Sequence, residues 1–351
     1  MGTETVRLAV AVSGGGDSLA ALTLLREAGH EVVALHGRFL PDADDPKTLR
    51  AESGLAEACA RLGVELRVLD LRERFEKHVV APFTAEYLAG RTPNPCARCN
   101  VAMKFGALLD AALDLGATGI ATGHYARSGA HPVHGWALFR GADPVKDQSY
   151  FLSLVPRERL MRAHFPLAAA RKTEVRADLA GRGVEPPLPE ESQEICFVPG
   201  DDYRAFLTAR VGALPGPGPA VLPDGTPVGR HQGLWRATIG QRRGLGLSWR
   251  EPLYVQDKRV ADNTLVVAPR PALLVEGFLA REINILADPA GWPEVVLAQT
   301  RYRERPAPAR VEILGDGLAV RYVEPRTRPA PGQVAALYGP DGAVLAGAVV
   351  L

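Results

Sequence analysis

Short apolar strands alternate with helices through the first 126 residues, and this order restricts the fold more than any other feature. Four apolar runs have the length of buried strands: 6–12, 30–37, 64–71 and 117–126. Three segments between them repeat apolar residues at helical spacing: 17–28, 50–62 and 101–115. The alternation predicts an α/β fold with a doubly wound, mostly parallel sheet, and we expect helix over 151–182 as well.

The rest of the chain has a different composition. The stretch 212–229 is dense in proline and glycine, which indicates a boundary, and short alternating strands follow beyond residue 270. The last of them contains a hairpin signal, Asp341–Gly342. We therefore predict three domains: a catalytic α/β domain over 1–200, a small mixed central domain over 201–268, and a C-terminal antiparallel β-barrel over 269–351.

Composition limits the class and the location of the protein. Hydrophobic residues make up 46% of the chain and charged residues 23%, as in a folded globular protein. No apolar run approaches the roughly 20 residues that cross a bilayer, and the N-terminus lacks the basic start of a signal peptide. Four cysteines are too few for a disulfide framework. We expect a cytoplasmic monomer that does not bind membranes.

The net charge of +1 hides an uneven distribution. Segment 184–202 carries six carboxylates and no Lys or Arg, for a net charge of −6. Segment 226–259 has a net charge of +5, and segment 300–328 has a net charge of +3. Solvated surface is the simpler explanation, but local positive charge also neutralises phosphates, so Arg242 and Arg243 are candidates for nucleic-acid contact.

The sequence SGGGDS at 13–18 follows the first predicted strand and begins the first predicted helix. Glycines let backbone amides turn towards an anion, and a helix N-terminus adds partial positive charge, so this loop predicts a phosphate site. It is not a Walker A loop, because no Lys-Ser or Lys-Thr pair follows it. Asp17 within the loop is a candidate Mg²⁺ ligand.

A Cys-x-x-Cys motif, Cys96 and Cys99, lies in GRTPNPCARCN at 90–100, ahead of the third predicted helix. A helix N-terminus lowers the pKa of nearby thiols, so we expect reactive thiolates here. A zinc half-site is the rival interpretation, although zinc needs four ligands. Of the other cysteines, Cys59 lies in an apolar helix and is predicted to be a core residue, whereas Cys196 lies in the motif SQEICF.

Seven motifs together resemble one family, the tRNA-specific 2-thiouridylases of the N-type ATP pyrophosphatase superfamily. They occur in the family's order along almost the whole chain: SGGGDS, AGRTPNPCARCN, ATGHYAR, GADPVKDQSYFL, SQEICF, TIGQRRGLGL, and RYR before PGQVAALYG. The combination of KDQSYFL, SQEICF and TIGQRRGLG is specific. The resemblance implies an adenine nucleotide alpha hydrolase-like N-terminal domain and ATP-dependent insertion of sulfur at position 2 of the wobble uridine, position 34, of tRNA.

The resemblance also implies which residues bind ATP and transfer sulfur. AMP from ATP would be placed on the uracil 2-carbonyl oxygen, with release of pyrophosphate, to create a leaving group. Cys196 would carry a persulfide received from a cysteine desulfurase or a sulfur-relay protein. Cys99 would release that sulfur by forming a disulfide with Cys196. The residues implied for ATP are Ala11, Val12, Ser13, Gly14, Gly15, Gly16, Asp17, Ser18, Gly37 and Gly123.

The chain departs from the common pattern of the family at three positions. Gly16 replaces a valine, which leaves the loop amides in place, and Gly37 replaces a larger apolar residue near the adenine. Cys96 replaces an aspartate that acts as a base or positions the target, so the base is unassigned. Cys96, Cys99 and Cys196 could together ligate an iron–sulfur cluster, but we favour cluster-free persulfide chemistry with ATP and Mg²⁺.

Contacts to tRNA are implied at ten positions: Asn94, Pro95, Cys96, His124, Lys146, Asp147, Gln148, Arg301, Tyr302 and Gln333. Single-stranded loops are recognised by splayed and stacked bases, which suits an anticodon target. Chemistry on one base also requires that this base be extruded into a pocket. The chain is poor in lysine, so Lys104 within the cysteine motif is a further candidate, whereas His134, His231 and Trp235 are predicted to be structural.

Two other functions are consistent with parts of the sequence. Another ATP-pyrophosphatase-fold ligase, such as an amide-forming synthetase, would not need paired thiols at Cys99 and Cys196. An RNA-binding module with a structural metal site would bind stoichiometric zinc and release no pyrophosphate. The motifs favour an ATP-dependent tRNA sulfurtransferase over both.

Overall fold

The computed structural model describes residues 5–41, 46–188 and 195–351. Three of the acidic residues counted in 184–202 lie outside the described residues: Glu190, Glu191 and Glu194. The first half of SQEICF, residues 192–194, also lies outside them. Cys196 itself is described. Within the described ranges, no helix is long and apolar enough to cross a membrane.

The first part of the chain forms a parallel sheet with helices, as predicted. Its strands are β1 (Arg7–Ala11), β2 (Glu31–Arg38), β3 (Glu65–Asp70), β4 (Ile120–Ala121), β5 (Ala126–His131), β6 (Gly135–Arg140) and β7 (Ala163–His164). Its helices are α1 (Gly16–Glu27), α2 (Pro46–Arg61), α3 (Arg72–Phe75), α4 (Ala81–Leu88), α5 (Pro95–Cys99), α6 (Leu109–Asp114), α7 (Ser149–Leu152), α8 (Arg157–Leu160) and α9 (Lys172–Gly181). The π-helical runs Glu76–Val80 and Asn100–Leu108 join α3 to α4 and α5 to α6. The sheet order is β3-β2-β1-β4-β7, all parallel, and β5 and β6 form a separate hairpin.

The prediction of helix over 151–182 is wrong in its middle. Ala163–His164 form β7, which pairs with β4 at the edge of the parallel sheet, between α8 and α9. Leu160, Ala163 and Leu167 are all buried and are spaced as on one face of a helix. A strand of two residues is too short to add an alternating pattern of its own, so the helical spacing concealed it.

The parallel sheet brings three loops to one edge. β1 lies between β2 and β4, with Val10 opposite Ala34 on one side and Ala121 on the other. The carboxyl ends of these strands therefore place residues 12–15, 36–39 and 122–125 next to one another. Ligands of open α/β sheets bind at this edge.

The later parts of the chain form a small sheet and a closed barrel, which confirms the predicted architecture. The small sheet has the order β10-β11-β8-β9, from β8 (Gly218–Val221), β9 (Pro227–His231), β10 (Tyr254–Arg259) and β11 (Thr264–Ala268), after helix α10 (Tyr203–Arg210). The barrel closes in the order β12-β15-β14-β13-β16-β17, from β12 (Leu274–Ile285), β13 (Val296–Gln299), β14 (Ala307–Leu314), β15 (Gly317–Thr327), β16 (Val334–Tyr338) and β17 (Val344–Val350). Short 3-10 turns lie at Pro199–Asp201, Leu234–Arg236, Arg270–Leu273 and Pro289–Gly291. The boundaries of the three domains stay predictions.

The barrel packs on the first part of the chain through a shared apolar core. Tyr150 of α7 is buried, and its hydroxyl donates to the carbonyl oxygens of Thr300 and Val334, at 3.3 and 3.0 Å. The same core cluster contains Phe105 on one side and Tyr338 of β16 on the other. Buried contacts therefore set the place of the barrel beside the helices that follow the Cys-x-x-Cys motif.

Two of the residues predicted to be structural are buried in the central part. His231 accepts from the amide of Gly233 at 2.9 Å and bonds to the carbonyl oxygen of Asn263 at 2.8 Å. The indole of Trp235 donates to the carbonyl oxygen of Pro215 at 3.0 Å. Both side chains therefore stabilise the central part through hydrogen bonds to backbone groups, as expected of structural residues.

Candidate active site

The loop after β1 has the geometry of an anion site. Gly14 has a φ of +85°, which favours glycine, and Gly15 caps the N-terminus of α1. The Ser18 hydroxyl accepts from the amide of Ser13 at 3.1 Å and donates to the carbonyl oxygen of Gly15 at 2.9 Å. The loop is thus fastened across its own turn, and it lines a cleft of about 1000 Å³.

Gly123 lies directly against this loop. A Cβ at Gly123 would lie 2.6 Å from the carbonyl carbon of Asp17 and 2.8 Å from the amide nitrogen of Ser18. Any side chain here would push the end of β4 away from α1, so the close approach requires glycine. The fold brings together two segments implied for ATP that lie about a hundred residues apart in sequence.

Phe39 fills the space beside Gly37. A Cβ at Gly37 would lie 2.5 Å from Cε1 of Phe39, and the Phe39 ring stacks on Phe75 at 5.3 Å between centroids. Phe39 also lines the large cleft. An aromatic ring therefore stands where the larger residue of the family pattern would lie. Phe39 was not among the predicted site residues, although an aromatic residue two positions after an unexpected glycine was the available signal.

Both carboxylate oxygens of Asp17 are engaged. The Tyr125 hydroxyl donates to Oδ1 at 2.7 Å, and Nζ of Lys172 donates to Oδ2 at 2.5 Å. Lys172 is the first residue of α9 and lines the same cleft, yet it was not among the predicted site residues. Across the residues that the structure describes, no group of three or more His, Cys, Asp or Glu side chains is placed to hold a metal ion. Asp17 therefore pairs with a lysine and a tyrosine in this structure, and its role as a Mg²⁺ ligand stays a prediction.

The Cys-x-x-Cys motif lies inside a helix and not ahead of it. Asn94 is the N-cap of α5, where its Oδ1 accepts from the amide of Ala97 at 3.1 Å, and buried Pro95 is the first helical residue. Cys96 and Cys99 are therefore the second and the last residues of α5. Asn94 and Pro95, expected to contact tRNA, are the residues that begin this helix.

The prediction of thiols with a lowered pKa at this motif is wrong. Cys96 is exposed, whereas Cys99 is half-buried and packs against an apolar core cluster. Desolvation raises the pKa of the Cys96 thiol and raises the pKa of Cys99 to about 12. Lys104 lowers both pKa values, yet the cost of burying a thiolate exceeds this attraction and that of the helix N-terminus.

The fold gathers the three cysteines that the sequence separates. A thiolate at Cys196 or at Cys96 raises the pKa of Cys99, and Cys96 has the same effect on Cys196, whose pKa is raised to about 11 mainly by desolvation. Such charge coupling weakens with distance, so these thiols share one neighbourhood. Cys196 also lines the cleft of the phosphate loop. Cys59, in contrast, is buried in the core, which confirms that prediction.

Lys104 connects the thiols to the nucleotide loop. Its Nζ lies 3.3 Å from Nε2 of buried His124, and Thr122 Oγ1 lies 2.8 Å from Nδ1 of the same ring. Burial, aided by the charge of Lys104, lowers the pKa of His124 well below its usual value, so the ring is neutral. Lys104 and His124 line a second cavity, of about 210 Å³, together with Ser13 and Asp17.

The residues of the KDQ motif have different surroundings. Asp147 is buried and accepts from the amides of Gly141 and Ser149, at 3.0 and 3.1 Å, so its carboxylate holds the local fold. Gln148 accepts from the amide of Tyr125 at 3.0 Å and lines both cavities. Lys146 is half-buried. Their contacts to tRNA stay predictions.

Three residues expected to contact tRNA approach the site from the barrel part of the chain. Arg301 donates to the carbonyl oxygen of Ile239, in the TIGQ motif, at 3.2 Å. Tyr302 packs on an aromatic ring of α7 at 4.4 Å between centroids. Gln333 donates to the carbonyl oxygen of Thr92 at 3.0 Å, ahead of α5, the thiol helix that contains Cys96 and Cys99. In this structure all three side chains join the barrel to other parts of the chain, and Gln333 alone of the three bonds to the segment that leads into α5.

Arg242 and Arg243 lie exposed in the turn that follows the TIGQ motif. The side-chain amide of Gln241 donates to the carbonyl oxygen of Arg243 at 2.8 Å and supports this turn. Exposure is what both the solvated-surface and the phosphate-contact interpretations require, and the net charge of the surrounding segment supports the second.

Comparisons with known proteins cover the whole chain. Residues 6–200 match the family described as tRNA methyl transferase HUP domain, residues 204–269 the tRNA methyl transferase PRC-barrel domain, and residues 275–350 the aminomethyltransferase beta-barrel domain. The curated tRNA-specific 2-thiouridylase MnmA of Nitratidesulfovibrio vulgaris (strain DSM 19637 / Miyazaki F) is 56% identical over 99% of both chains. The MnmA of Lawsonia intracellularis (strain PHE/MN1-00) is 47% identical over 98% of this chain and 99% of its own.

More distant proteins match as well. The MnmA of Thermus thermophilus is 42% identical over 98% of this chain and 94% of its own. A solved 4-thiouridine synthetase–RNA complex with bound ATP covers 59% of this chain and 50% of its own at a TM-score of 0.37 and 14% identity, a likeness too low to support an argument. The full-length matches at high identity are decisive: the chain belongs to the tRNA-specific 2-thiouridylase family.

Proposed function

We propose that the protein thiolates position 2 of the wobble uridine, position 34, of tRNA in an ATP-dependent reaction. The observation that carries this proposal is that Cys196 and the phosphate loop line one cleft. A thiolate at Cys196 also raises the pKa of Cys99, and one at Cys96 raises the pKa of Cys196, so the other two thiols lie near this cleft. Adenylation followed by sulfur attack needs a nucleotide site and thiols within reach of one substrate atom. The names of the curated relatives support the same chemistry.

The first step is transfer of AMP to the uracil. ATP would bind with its phosphates at the loop Ser13–Ser18 and its adenine beside Phe39. The uracil 2-carbonyl oxygen attacks the α-phosphorus, a new oxygen–phosphorus bond forms, and the bond to pyrophosphate breaks. The amides at the N-terminus of α1 and the ammonium of Lys172 would stabilise the charge on the phosphates.

The second step moves sulfur. The terminal sulfur of a persulfide on Cys196 attacks carbon 2 of the adenylated uracil, and AMP leaves with the former carbonyl oxygen. The Cys99 thiolate then attacks Sγ of Cys196, the sulfur–sulfur bond breaks, and the transferred sulfur stays on carbon 2. Cys99 and Cys196 end as a disulfide, which a thiol reductant must reduce with two electrons before the next turnover.

Lys104 would assist the loss of the proton from Cys99. The pKa of Cys99 is raised to about 12 by desolvation, so few molecules carry the thiolate at neutral pH. Lys104 lowers the pKa of Cys96, Cys99 and Cys196 by its charge, and the neutral ring of His124 does not compete for the thiolates. A cation among three thiols favours the charged form of whichever one must react.

The target base and the tRNA backbone would enter from the side of the thiol helix. The base would be extruded towards Asn94, Cys96 and His124, of which His124 lines the smaller cavity together with Lys104. Exposed arginines such as Arg242 and Arg243 would contact phosphates. We place the reaction in the cytoplasm, with the chain acting as a monomer and receiving sulfur from a cysteine desulfurase or a sulfur-relay protein.

Incubation with unmodified tRNA, Mg-ATP and a persulfide donor, followed by mass spectrometry of the nucleosides, tests this function. We expect 2-thiouridine at position 34, with one AMP and one pyrophosphate released for each 2-thiouridine formed. Pyrophosphate release without a thiolated nucleoside would favour another ligase of the same fold. No nucleotide turnover and stoichiometric zinc would favour an RNA-binding module.

A further inference from the structure

The thiol loop, residues 92–95, leads into the helix of Cys96 and Cys99 and is held by the C-terminal barrel. The amide of Thr92 donates to the carbonyl oxygen of Pro331 at 2.7 Å. The side-chain amide of Gln333 donates to the carbonyl oxygen of Thr92 at 3.0 Å and to that of Pro93 at 3.4 Å. These bonds reach the two residues that precede Asn94, the N-cap of the thiol helix. The barrel therefore contacts the loop at the point where α5 begins.

The loop depends on such outside partners because it has few donors of its own. Its sequence from Thr92 to Pro95 contains two prolines, Pro93 and Pro95, and proline lacks a backbone N–H. The half-buried carbonyl groups of the loop still need donors. The amide of Gln333 provides the donor that the loop's own backbone lacks.

Gly332 allows the two backbones to approach. It has a φ of +90°, and a Cβ there would lie 3.1 Å from both the carbonyl carbon and the oxygen of Thr92. Its amide donates to the carbonyl oxygen of Val350 at 2.9 Å, and the amide of Val350 donates back to the carbonyl oxygen of Gln333 at 2.9 Å. The contacting segment is thus fastened to the end of β17, so it has a fixed place in the barrel.

A second contact reaches the thiol helix itself. Arg98, between Cys96 and Cys99, pairs with Glu282 of β12 at 2.5 Å. Both side chains are about two-fifths exposed, so the pair contributes little stability. Two separate parts of the barrel therefore contact the segment from Thr92 to Arg98.

We propose that Gln333 and Gly332 are positioning residues for sulfur transfer, through which the barrel sets the place of Cys99. The inference rests on the proposed function for the reaction that the positioning serves. It gives Gln333 a role that acts through the thiol loop, in contrast to the direct tRNA contact that the family resemblance implies. Misplacement of a reacting group by about 1 Å can lower a rate by about a hundredfold, so such a contact matters for turnover.

Two substitutions remove the donor at this contact, and a third serves as the matched control. Gln333→Glu keeps the shape but places a carboxylate against two carbonyl oxygens, and Gln333→Met removes the donor without adding charge. Gln256→Glu changes another glutamine whose side-chain amide donates to a carbonyl oxygen, that of Ala272 at 2.8 Å, far from the thiol loop in sequence. The measurements are iodoacetamide alkylation of each cysteine, by mass spectrometry, and steady-state thiolation kinetics.

We expect both Gln333 variants to speed alkylation of Cys99 by about tenfold, because the loop opens when its two hydrogen bonds to Gln333 are absent. Buried Cys59 reports on the fold as a whole and should keep its rate. We expect kcat for thiolation to fall by about tenfold to a hundredfold while KM for tRNA stays within about threefold. The Gln256→Glu protein should match wild type in all measurements.

An unchanged alkylation rate of Cys99, or an unchanged kcat, would overturn the proposal. A raised KM for tRNA at constant kcat would instead make Gln333 a tRNA contact. Equal gains in reactivity at Cys59 and Cys99 in both variants would mean that Gln333 stabilises the whole fold, and the proposal would be wrong. The alkylation measurement needs neither ATP nor tRNA, so it decides the positioning even if the wild-type protein makes no 2-thiouridine.

Discussion

Nζ of Lys172 lies 2.5 Å from Oδ2 of Asp17, which joins the start of α9 to the phosphate loop after β1. The Tyr125 hydroxyl holds the other carboxylate oxygen at 2.7 Å. The Lys172 side chain is only 14% exposed, so its charge is weakly screened by water. The pair places an oriented cation beside the loop where we expect the phosphates of ATP.

Asp17→Asn is expected to stop adenylation before any sulfur step. An amide cannot form the ion pair, so Lys172 is no longer oriented towards the loop, and tRNA-dependent pyrophosphate release should fall by about a hundredfold. The dissociation constant for tRNA should stay within a few-fold of the wild-type value. Asp70→Asn is the control, because Asp70 pairs with Arg72 on the surface. Unchanged pyrophosphate release would separate this loop from the chemistry.

Cys99→Ser and Cys196→Ser should each abolish thiolation with a persulfide donor while tRNA affinity changes only a few-fold. The reason is that the two thiols act in series, so the loss of either one stops sulfur release. The measurement is 2-thiouridine by mass spectrometry together with tRNA binding. Full activity of either variant would contradict the relay.

Cys59→Ala is the matched control for these substitutions. Cys59 is buried in the core of the first part of the chain, and its removal should cost about 1–2 kcal/mol in the free energy of unfolding. Thiolation by the folded protein should be unchanged. A folded but inactive Cys59→Ala protein would show that this cysteine is more than a core residue.

The alkylation of Cys99 should rise with pH without a plateau in the neutral range. The thiolate reacts with iodoacetamide, and the pKa of Cys99 is raised to about 12 by desolvation, so the thiolate fraction grows about tenfold for each pH unit from 7 to 10. The rate is measured by mass spectrometry over this range. A plateau near pH 8 would mean that the helix N-terminus and Lys104 outweigh burial.

The sequence predicted the sheet and the phosphate loop because both leave local patterns, namely apolar periodicity and glycines at a strand end. It could not predict β7, because the buried residues around that strand, Leu160, Ala163 and Leu167, have helical spacing. It also could not predict the raised pKa of Cys99, because desolvation depends on side chains that are distant in the chain. The local motif suggested that a helix N-terminus lowers this pKa, but desolvation by the surrounding side chains raises it.

The same distinction explains the site residues that were missed. Lys172 reaches Asp17 across 155 positions of sequence, and Gln333 reaches Thr92 across 241. No spacing rule links such pairs, so only the fold brings them together. Phe39 could have been found from the sequence, because it lies only two positions after Gly37 and its ring fills the volume beside that glycine.

Arg242→Gln together with Arg243→Gln should weaken tRNA binding similarly for all substrate tRNAs. Phosphate contacts carry no sequence information, and the slope of log affinity against log salt should shrink by about 0.7–0.9 for each phosphate that the variant no longer neutralises. ATP binding should not change. Arg67→Gln is the control, because Arg67 is exposed on β3 and pairs with Glu65. Equal slopes for wild type and the double variant would assign these arginines to solvated surface.

The central claim is that the uracil 2-carbonyl oxygen becomes the leaving group by accepting AMP. A tRNA that carries ¹⁸O at position 2 of the wobble uridine tests this most directly, with the AMP product analysed by mass spectrometry after a thiolation reaction. We expect one ¹⁸O atom in AMP for each 2-thiouridine formed, because AMP departs with that oxygen. Unlabelled AMP in a reaction that produces 2-thiouridine would contradict the account.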